Sequence, residues 1–157
     1  MTVELIAEQT EAYLRALITQ AHRQHPEARF TALAIEIESS GGPVYVYLHH
    51  GEHRPVNCEE WKLSYFDQKV EAGLVPDWCE DFEDLYTAYA EGEFNDYPKL
   101  RAYLEMALQG VAQALAGLAR DGFLESRGFA DRPHLAVFNE EDAHPQMGVQ
   151  RVKAAPK

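Results

Sequence analysis

Two histidines and a glutamate in close succession are the first residues of this chain that could carry out chemistry. His49, Glu52 and His53 spell H-x-x-E-H, the inverted zincin signature, in which the histidines hold zinc and the glutamate activates water. That chemistry would make the protein a small metallohydrolase. The signature requires a helical backbone, because residues i and i+4 lie on the same face of a helix.

The backbone that carries these histidines is predicted to be extended. Apolar and polar residues alternate over 30–38 and 44–48, which predicts two strands joined by a glycine-rich turn as an antiparallel hairpin. His49 and His50 then end the second strand and point to opposite faces, and Gly51 breaks it. The pattern therefore predicts a solvated polar strand end without metal. A small hydrolase built on this cluster is the minority alternative.

Other catalytic patterns are missing from the sequence. No serine lies in a G-x-S-x-G elbow, and no glycine-rich loop joins a strand to a helix, as phosphate binding would require. Cys58 and Cys79 lie 21 residues apart without a C-x-x-C pairing, which favours buried thiols over a zinc knuckle or a disulfide framework. The sequence thus predicts a protein that is not an enzyme and uses neither a cofactor nor a metal.

Three main helices are predicted between recognisable start and stop residues. They run from the Thr2 cap to Pro26, from Pro76-Asp77 to Gly92, and from Pro98 to Asp121-Gly122. A last strand is predicted at 134–139, whereas 60–70 fits strand nearly as well as helix and the structure of 57–75 stays open. We therefore expect an α+β fold in which these helices cover an antiparallel sheet, built on the hairpin plus the C-terminal strand. One domain is expected over 1–143, followed by a flexible basic tail over 144–157.

The charge balance narrows the class of partner. Twenty-six acidic against 14 basic residues give a formal net charge of −12, and all 26 acids lie within residues 1–143. Such a surface repels nucleic acid and anionic membranes, because both are bound through lysine and arginine. It attracts a basic protein by electrostatic steering.

The sequence also predicts a cytoplasmic location. No apolar run approaches the roughly 20 residues that a membrane span needs. The first residues, MTVELIAEQTEAY, carry acids where a signal peptide would be basic.

The segment 76–98 combines eight carboxylates with six aromatic residues and contains no lysine or arginine. Three interpretations stay open: a solvated face over an aromatic core stripe, an interface for a basic protein, and a hard-metal site, which the missing D-x-D-x-D-G order disfavours. The candidate partner-binding residues are Asp77, Glu80, Asp81, Glu83, Asp84, Glu91, Glu93, Phe94, Asp96 and Tyr97. The strand face of Tyr45, Tyr47 and His49 is a second candidate contact surface.

Three short motifs resemble one known family. They are Glu60-Trp61-Lys62 after the hairpin, LAGLARDGFLE at 115–125 and HLAVFNEED at 134–142. Through these motifs most of the chain, residues 5–142, resembles the bacterial family of domains of unknown function numbered 4303. The resemblance implies a relation to immunity proteins of polymorphic toxin systems, which are small acidic chains that neutralise a secreted toxin by binding it. It implies no catalytic residue.

Composition and resemblance together favour a binding protein. The leading hypothesis is an immunity protein that occludes a basic surface of a toxin domain. The alternative is a housekeeping or regulatory α+β domain, which could form a homodimer and whose acidity serves solubility.

Overall fold

The computed structural model describes residues 1–39, 44–66, 75–144 and 146–156. The helices in these ranges are α1 (Val3–Gln24), α2 (Asp77–Ala90), α3 (Tyr97–Arg120), α4 (Phe123–Ser126) and α5 (Gln146–Ala154), with a short 3-10 helix at Cys58–Glu60. The strands are β1 (Phe30–Ile37), β2 (Val44–His50), β3 (Leu63–Phe66) and β4 (Phe129–Phe138). None of the described helices has the length and apolar character that crossing a bilayer requires.

The strands form one mixed sheet in the order β3-β2-β1-β4. β1 and β2 pair antiparallel as the predicted hairpin, and β3 pairs antiparallel with β2. β4 instead runs parallel to β1, with Val137 opposite Ile35. The α+β class and the three main helices are confirmed, but the sheet is not purely antiparallel as predicted. The chain reaches β4 through three helices, and so long a crossover lets a strand return in the original direction.

The helix ends follow local capping chemistry. The Thr2 hydroxyl accepts a hydrogen bond from the Leu5 N–H at 3.1 Å, which confirms the predicted cap of α1. At the start of α3, an Asp96 carboxylate oxygen accepts from the Lys99 N–H at 3.0 Å. Residues 40–43 of the turn predicted at 39–43, and residues 67–74 of the segment left open, lie outside the described residues.

The main core lies between one face of the sheet and helices α1, α2 and α3. α1 and α3 approach each other closely at Gly110, where an added Cβ would lie 2.5 Å from Cγ2 of Ile6. α2 is anchored to α1 by the buried Trp78, whose indole N–H donates to the Thr10 hydroxyl at 2.9 Å. This anchor places the opposite side of α2 in solvent.

The other face of the sheet carries a smaller apolar cluster. Ala32 and Ala34 of β1, Tyr47 of β2 and Ala136 of β4 are buried there beneath Trp61. The sequence predicted that the tyrosine side of β2 faces outward, and this face is indeed opposite the main core. It is nevertheless covered, because the segment around Trp61 folds back over the sheet.

The C-terminal segment, predicted as a flexible basic tail from 144, contains helix α5 and packs against β4 and α3. Val152 is buried, and Arg151 donates to both carboxylate oxygens of Asp142 and to the Val137 carbonyl. The prediction of a flexible tail is therefore corrected. A polar nine-residue helix has little intrinsic stability, and the contacts that stabilise it come from residues distant in the chain.

Candidate functional site

An acidic surface runs along the solvent side of α2 and continues into the loop before α3. It consists of Asp77, Glu80, Asp81, Glu83 and Asp84 on the helix and Glu91, Glu93 and Asp96 in the loop. All eight side chains are exposed, as a partner-binding surface requires. No ion pair within the described ranges involves any of these eight carboxylates. The structure thus places the predicted acidic residues on one continuous stretch of surface.

The aromatic residues of this segment divide between the core and the surface. Trp78 and Phe82 are buried, and Phe82 stacks on Tyr103 with the ring centroids 5.2 Å apart. Tyr89 is half-buried, and its ring centroid lies 5.8 Å from that of Tyr97, which is 48% exposed. The start of the stripe therefore stabilises the fold, whereas its end reaches the surface beside the loop carboxylates.

A concavity of about 220 Å³ adjoins the acidic surface. Its lining includes the rings of Tyr86, Tyr89 and Tyr97 from α2 and α3. Arg101 and Glu141 also line it and form an ion pair at 2.7 Å. Tyrosine rings beside carboxylates can hold the aliphatic stem of a lysine or arginine while the acids pair with its charged end.

Two of the predicted partner-binding residues also have roles within the chain. Asp96 caps α3 by accepting from the Lys99 N–H, so helix stability alone is enough to explain a carboxylate at this position. The half-buried Phe94 ring lies 5.6 Å from the Lys99 ammonium, an intramolecular cation–π contact. Within the described ranges, the other seven carboxylates of the acidic surface form neither an ion pair nor a side-chain hydrogen bond, and α2 carries five of them.

The H-x-x-E-H cluster does not form the geometry of a metalloprotease. His49 ends β2 and is only 2% exposed, and its Nε2 lies 2.8 Å from the His53 carbonyl oxygen. Glu52 and the His53 side chain are exposed. Across the part of the chain that the structure describes, no group of three or more histidine, cysteine, aspartate or glutamate side chains is arranged to hold a metal ion.

The prediction of a solvated strand end is wrong for His49, and burial leaves little of His49 and Tyr47 for a partner to contact. His49 is covered by Trp61, whose ring centroid lies 6.1 Å away, and Tyr47 is buried as well. Tyr45 alone of the three proposed contact residues is half-exposed. The sequence pattern could not show this, because the covering side chain lies in the segment whose structure was ambiguous.

The Tyr47 hydroxyl contacts Glu36, a residue that the sequence analysis did not single out. It donates to a carboxylate oxygen of Glu36 at 3.0 Å. Burial raises the pKa of Glu36, the bond from Tyr47 opposes this, and the nearby carboxylates of Glu140, Glu38 and Glu59 raise the pKa further. Within the described ranges no lysine or arginine pairs with Glu36. The ionised, half-buried Glu36 carboxylate therefore lowers the stability of the fold.

Comparison with known proteins identifies no relative. No protein-family model matches the chain, and neither the curated proteins nor the solved structures give a significant match.

Replacing Glu36 with glutamine is expected to raise the stability of the fold at neutral pH. The folded state binds the Glu36 proton more tightly than the unfolded chain does, because burial raises its pKa above 4.5. The ionised carboxylate therefore destabilises the fold above the raised pKa, and this effect fades as the pH falls towards 4.5. Glutamine removes the charge, and its amide oxygen can still accept from Tyr47. Urea unfolding across this pH range should show a stability gap that closes on acidification; a gap independent of pH would contradict the assignment.

Proposed function

We propose that this protein is a non-catalytic, cytoplasmic immunity protein that neutralises a bacterial toxin by occluding a basic surface of it. The observation that carries the proposal is the acidic surface: eight exposed carboxylates without an ion pair in the described ranges, beside a concavity lined by three tyrosines. Like charges this close on a helix repel by tenths of a kcal/mol per pair. A basic partner would turn that repulsion into attraction.

Three properties of the surface support recognition of a basic protein. The net charge of −12 steers a basic partner towards the molecule over several ångströms. The exposed Tyr97 ring and its neighbour Tyr89 provide an aromatic anchor of the kind that dominates interface energies. Trp78 anchors α2 to α1, so the carboxylates are held in place before binding.

Occlusion also explains how a protein without catalytic residues could block a toxin. If the toxin acts on nucleic acid or a nucleotide, its active site presents lysine or arginine side chains to phosphate groups. A row of carboxylates on a rigid helix can pair with the same side chains and exclude the substrate. The contact is expected to form quickly and to weaken as salt is added.

The decisive experiment compares two charge-reversed variants of equal net charge. The first carries Asp81→Lys, Glu83→Lys and Asp84→Lys on α2. The control carries Glu8→Lys, Glu27→Lys and Glu125→Lys, three exposed sites outside the acidic surface. Tagged wild-type protein is used to capture partners from a lysate of its own cells at low salt, and a captured basic protein is identified by mass, purified and tested for toxicity.

Wild type and control should bind the purified toxin, whereas the α2 variant should associate about tenfold more slowly and lose most of the salt dependence. The α2 variant should also fail to protect cells from the toxin, whereas wild type and the control should protect them. An equal decrease of the association rate in both variants, or an association rate that does not depend on salt, would contradict recognition through α2. Capture of no basic protein would instead favour the housekeeping or regulatory domain, with acidity serving solubility.

A further inference from the structure

A groove of about 430 Å³ lies on the outer face of the sheet, away from the main core. Ala34 and Ala136, which pair across β1 and β4, line it together with Trp61 and Phe138. Because the two alanine side chains are small, the groove is deep between the rings of Trp61 and Phe138. Both the volume and the predominantly apolar lining are typical of sites for small molecules.

One end of the groove is negatively charged. Glu36 lies beside the lining rather than in it: it follows Ala34 by two residues on the same face of β1 and pairs with Phe138 in the strand register. Glu140 lines the groove itself, and Glu59 also acts electrostatically on Glu36. No lysine or arginine neutralises Glu36 in the part of the chain that is described. A half-buried carboxylate that accepts only from the Tyr47 hydroxyl and has no ion pair in the described ranges is complementary, beside aromatic walls, to a cation with an apolar body.

The thiol at the groove has no covalent role at neutral pH. Cys58 lines the groove, and burial raises the pKa of its thiol to about 12, with Glu36 and Glu59 contributing. The protonated thiol is a poor nucleophile. The groove is therefore better suited to non-covalent recognition.

We propose that the groove binds a small organic cation, with its apolar or aromatic body between Trp61 and Phe138 and its ammonium or guanidinium group paired with Glu36. The site does not depend on the acidic surface of α2 and adds a ligand to the proposed binding function. Pairing with the cation would relieve the repulsion that Glu36 experiences from its neighbouring carboxylates. The ligand should therefore stabilise the folded protein as well as bind to it.

The test is a titration followed by the two tryptophan indole N–H signals in ¹⁵N–¹H NMR spectra. The Trp61 indole donates to the Pro55 carbonyl at 2.9 Å beside the groove, whereas the Trp78 indole lies in the main core and serves as the internal reference. Benzylammonium is the probe, and benzyl alcohol is its uncharged counterpart of similar shape. We expect benzylammonium to shift the Trp61 signal saturably and to leave the Trp78 signal in place.

Two variants separate specific pairing from general attraction to an acidic protein. Glu36→Gln should weaken benzylammonium binding at least tenfold, while Glu125→Gln, an equal change of charge at an exposed site outside the acidic surface, should leave it unchanged. Equal affinity for benzyl alcohol, or an unaltered affinity in Glu36→Gln, would overturn recognition of the cation by Glu36. A Trp61 signal that never moves would overturn the site itself. Toxin capture by Glu36→Gln should equal that of wild type, so a failure here is distinguishable from a failure of the immunity proposal.

Discussion

Replacing Trp78 with alanine is expected to lower the free energy of unfolding by about 4 kcal/mol. The side chain is 1% exposed and is among the largest that the core buries completely, so its removal leaves a cavity. The Thr10 hydroxyl would also lose the indole N–H that lies 2.9 Å away. Because the Trp78 backbone N–H donates to the Gln9 side chain at 3.1 Å, the start of α2 is held to α1 at this residue. We therefore expect the acidic surface to lose its fixed position along with the stability.

Urea unfolding monitored by circular dichroism measures this loss directly. The control variant combines Trp78→Phe with Thr10→Val, which keeps an aromatic ring in the core and removes both partners of the buried hydrogen bond. It should lose about half as much stability as Trp78→Ala. If Trp78→Ala unfolded at the wild-type urea concentration, α2 would have to be held by its other contacts alone, and the anchoring role would be rejected.

Replacing Arg151 with methionine is expected to destabilise the protein by about 3 kcal/mol, because it leaves a mostly buried carboxylate without its partner. The guanidinium donates to the two oxygens of Asp142 at 2.5 and 2.7 Å, and the side chains are 19% and 12% exposed. It also donates to the Val137 carbonyl at 3.2 Å, on a strand at the edge of the described sheet. Loss of both contacts should release α5 from β4.

The same ion pair predicts a loss of stability in acid. Burial alone would raise the pKa of Asp142, but hydrogen bonds from Arg151 and from the Asn139 N–H outweigh it and hold the pKa below 3.8. A carboxyl with a lowered folded-state pKa stabilises the fold above the unfolded value, and this contribution disappears as the pH falls through the folded value. Wild type should therefore lose this contribution below pH 3.8, relative to Arg151→Met with Asp142→Asn.

The matched variants give this prediction its control. The double variant removes both charges and should be more stable at neutral pH than Arg151→Met alone, because no unpaired carboxylate remains. Hydrogen exchange of the α5 amides reports release of the helix separately from global unfolding. If Arg151→Met were as stable as wild type at neutral pH, apolar contacts such as those of Val152 would suffice to hold α5.

The parts of the fold that were predictable depend on short-range chemistry. Thr2 caps α1 because its hydroxyl reaches an N–H three residues away, and Pro98 lies in the first turn of α3, where it displaces no helical hydrogen bond. The stripe from Trp78 to Tyr89 predicted α2 because a helix brings residues three and four apart onto one face. These signals lie within one or two helical turns, so the sequence displays them directly.

The candidate sites differ in how far apart their residues lie. The acidic surface comes from one uninterrupted segment, so its composition alone predicted a shared exposed surface. The outer groove joins Ala34 with Ala136, which meet because β4 pairs with β1, and with Trp61, whose segment folds back over this face of the sheet. His49 was misjudged for the same reason, since the ring that covers it follows twelve residues later in the segment that fits strand nearly as well as helix.

By itself, the sequence determined the α+β class, the three main helices, the hairpin and the excess of negative charge, because each depends on residue type and near-neighbour spacing. The tertiary structure decided the parallel direction of β4, the folding of α5, the burial of His49 and Tyr47 and the groove on the outer face of the sheet. These features arise from contacts between residues that lie about ten to a hundred positions apart in the chain. Their stability comes from apolar burial and paired charges that no single segment contains.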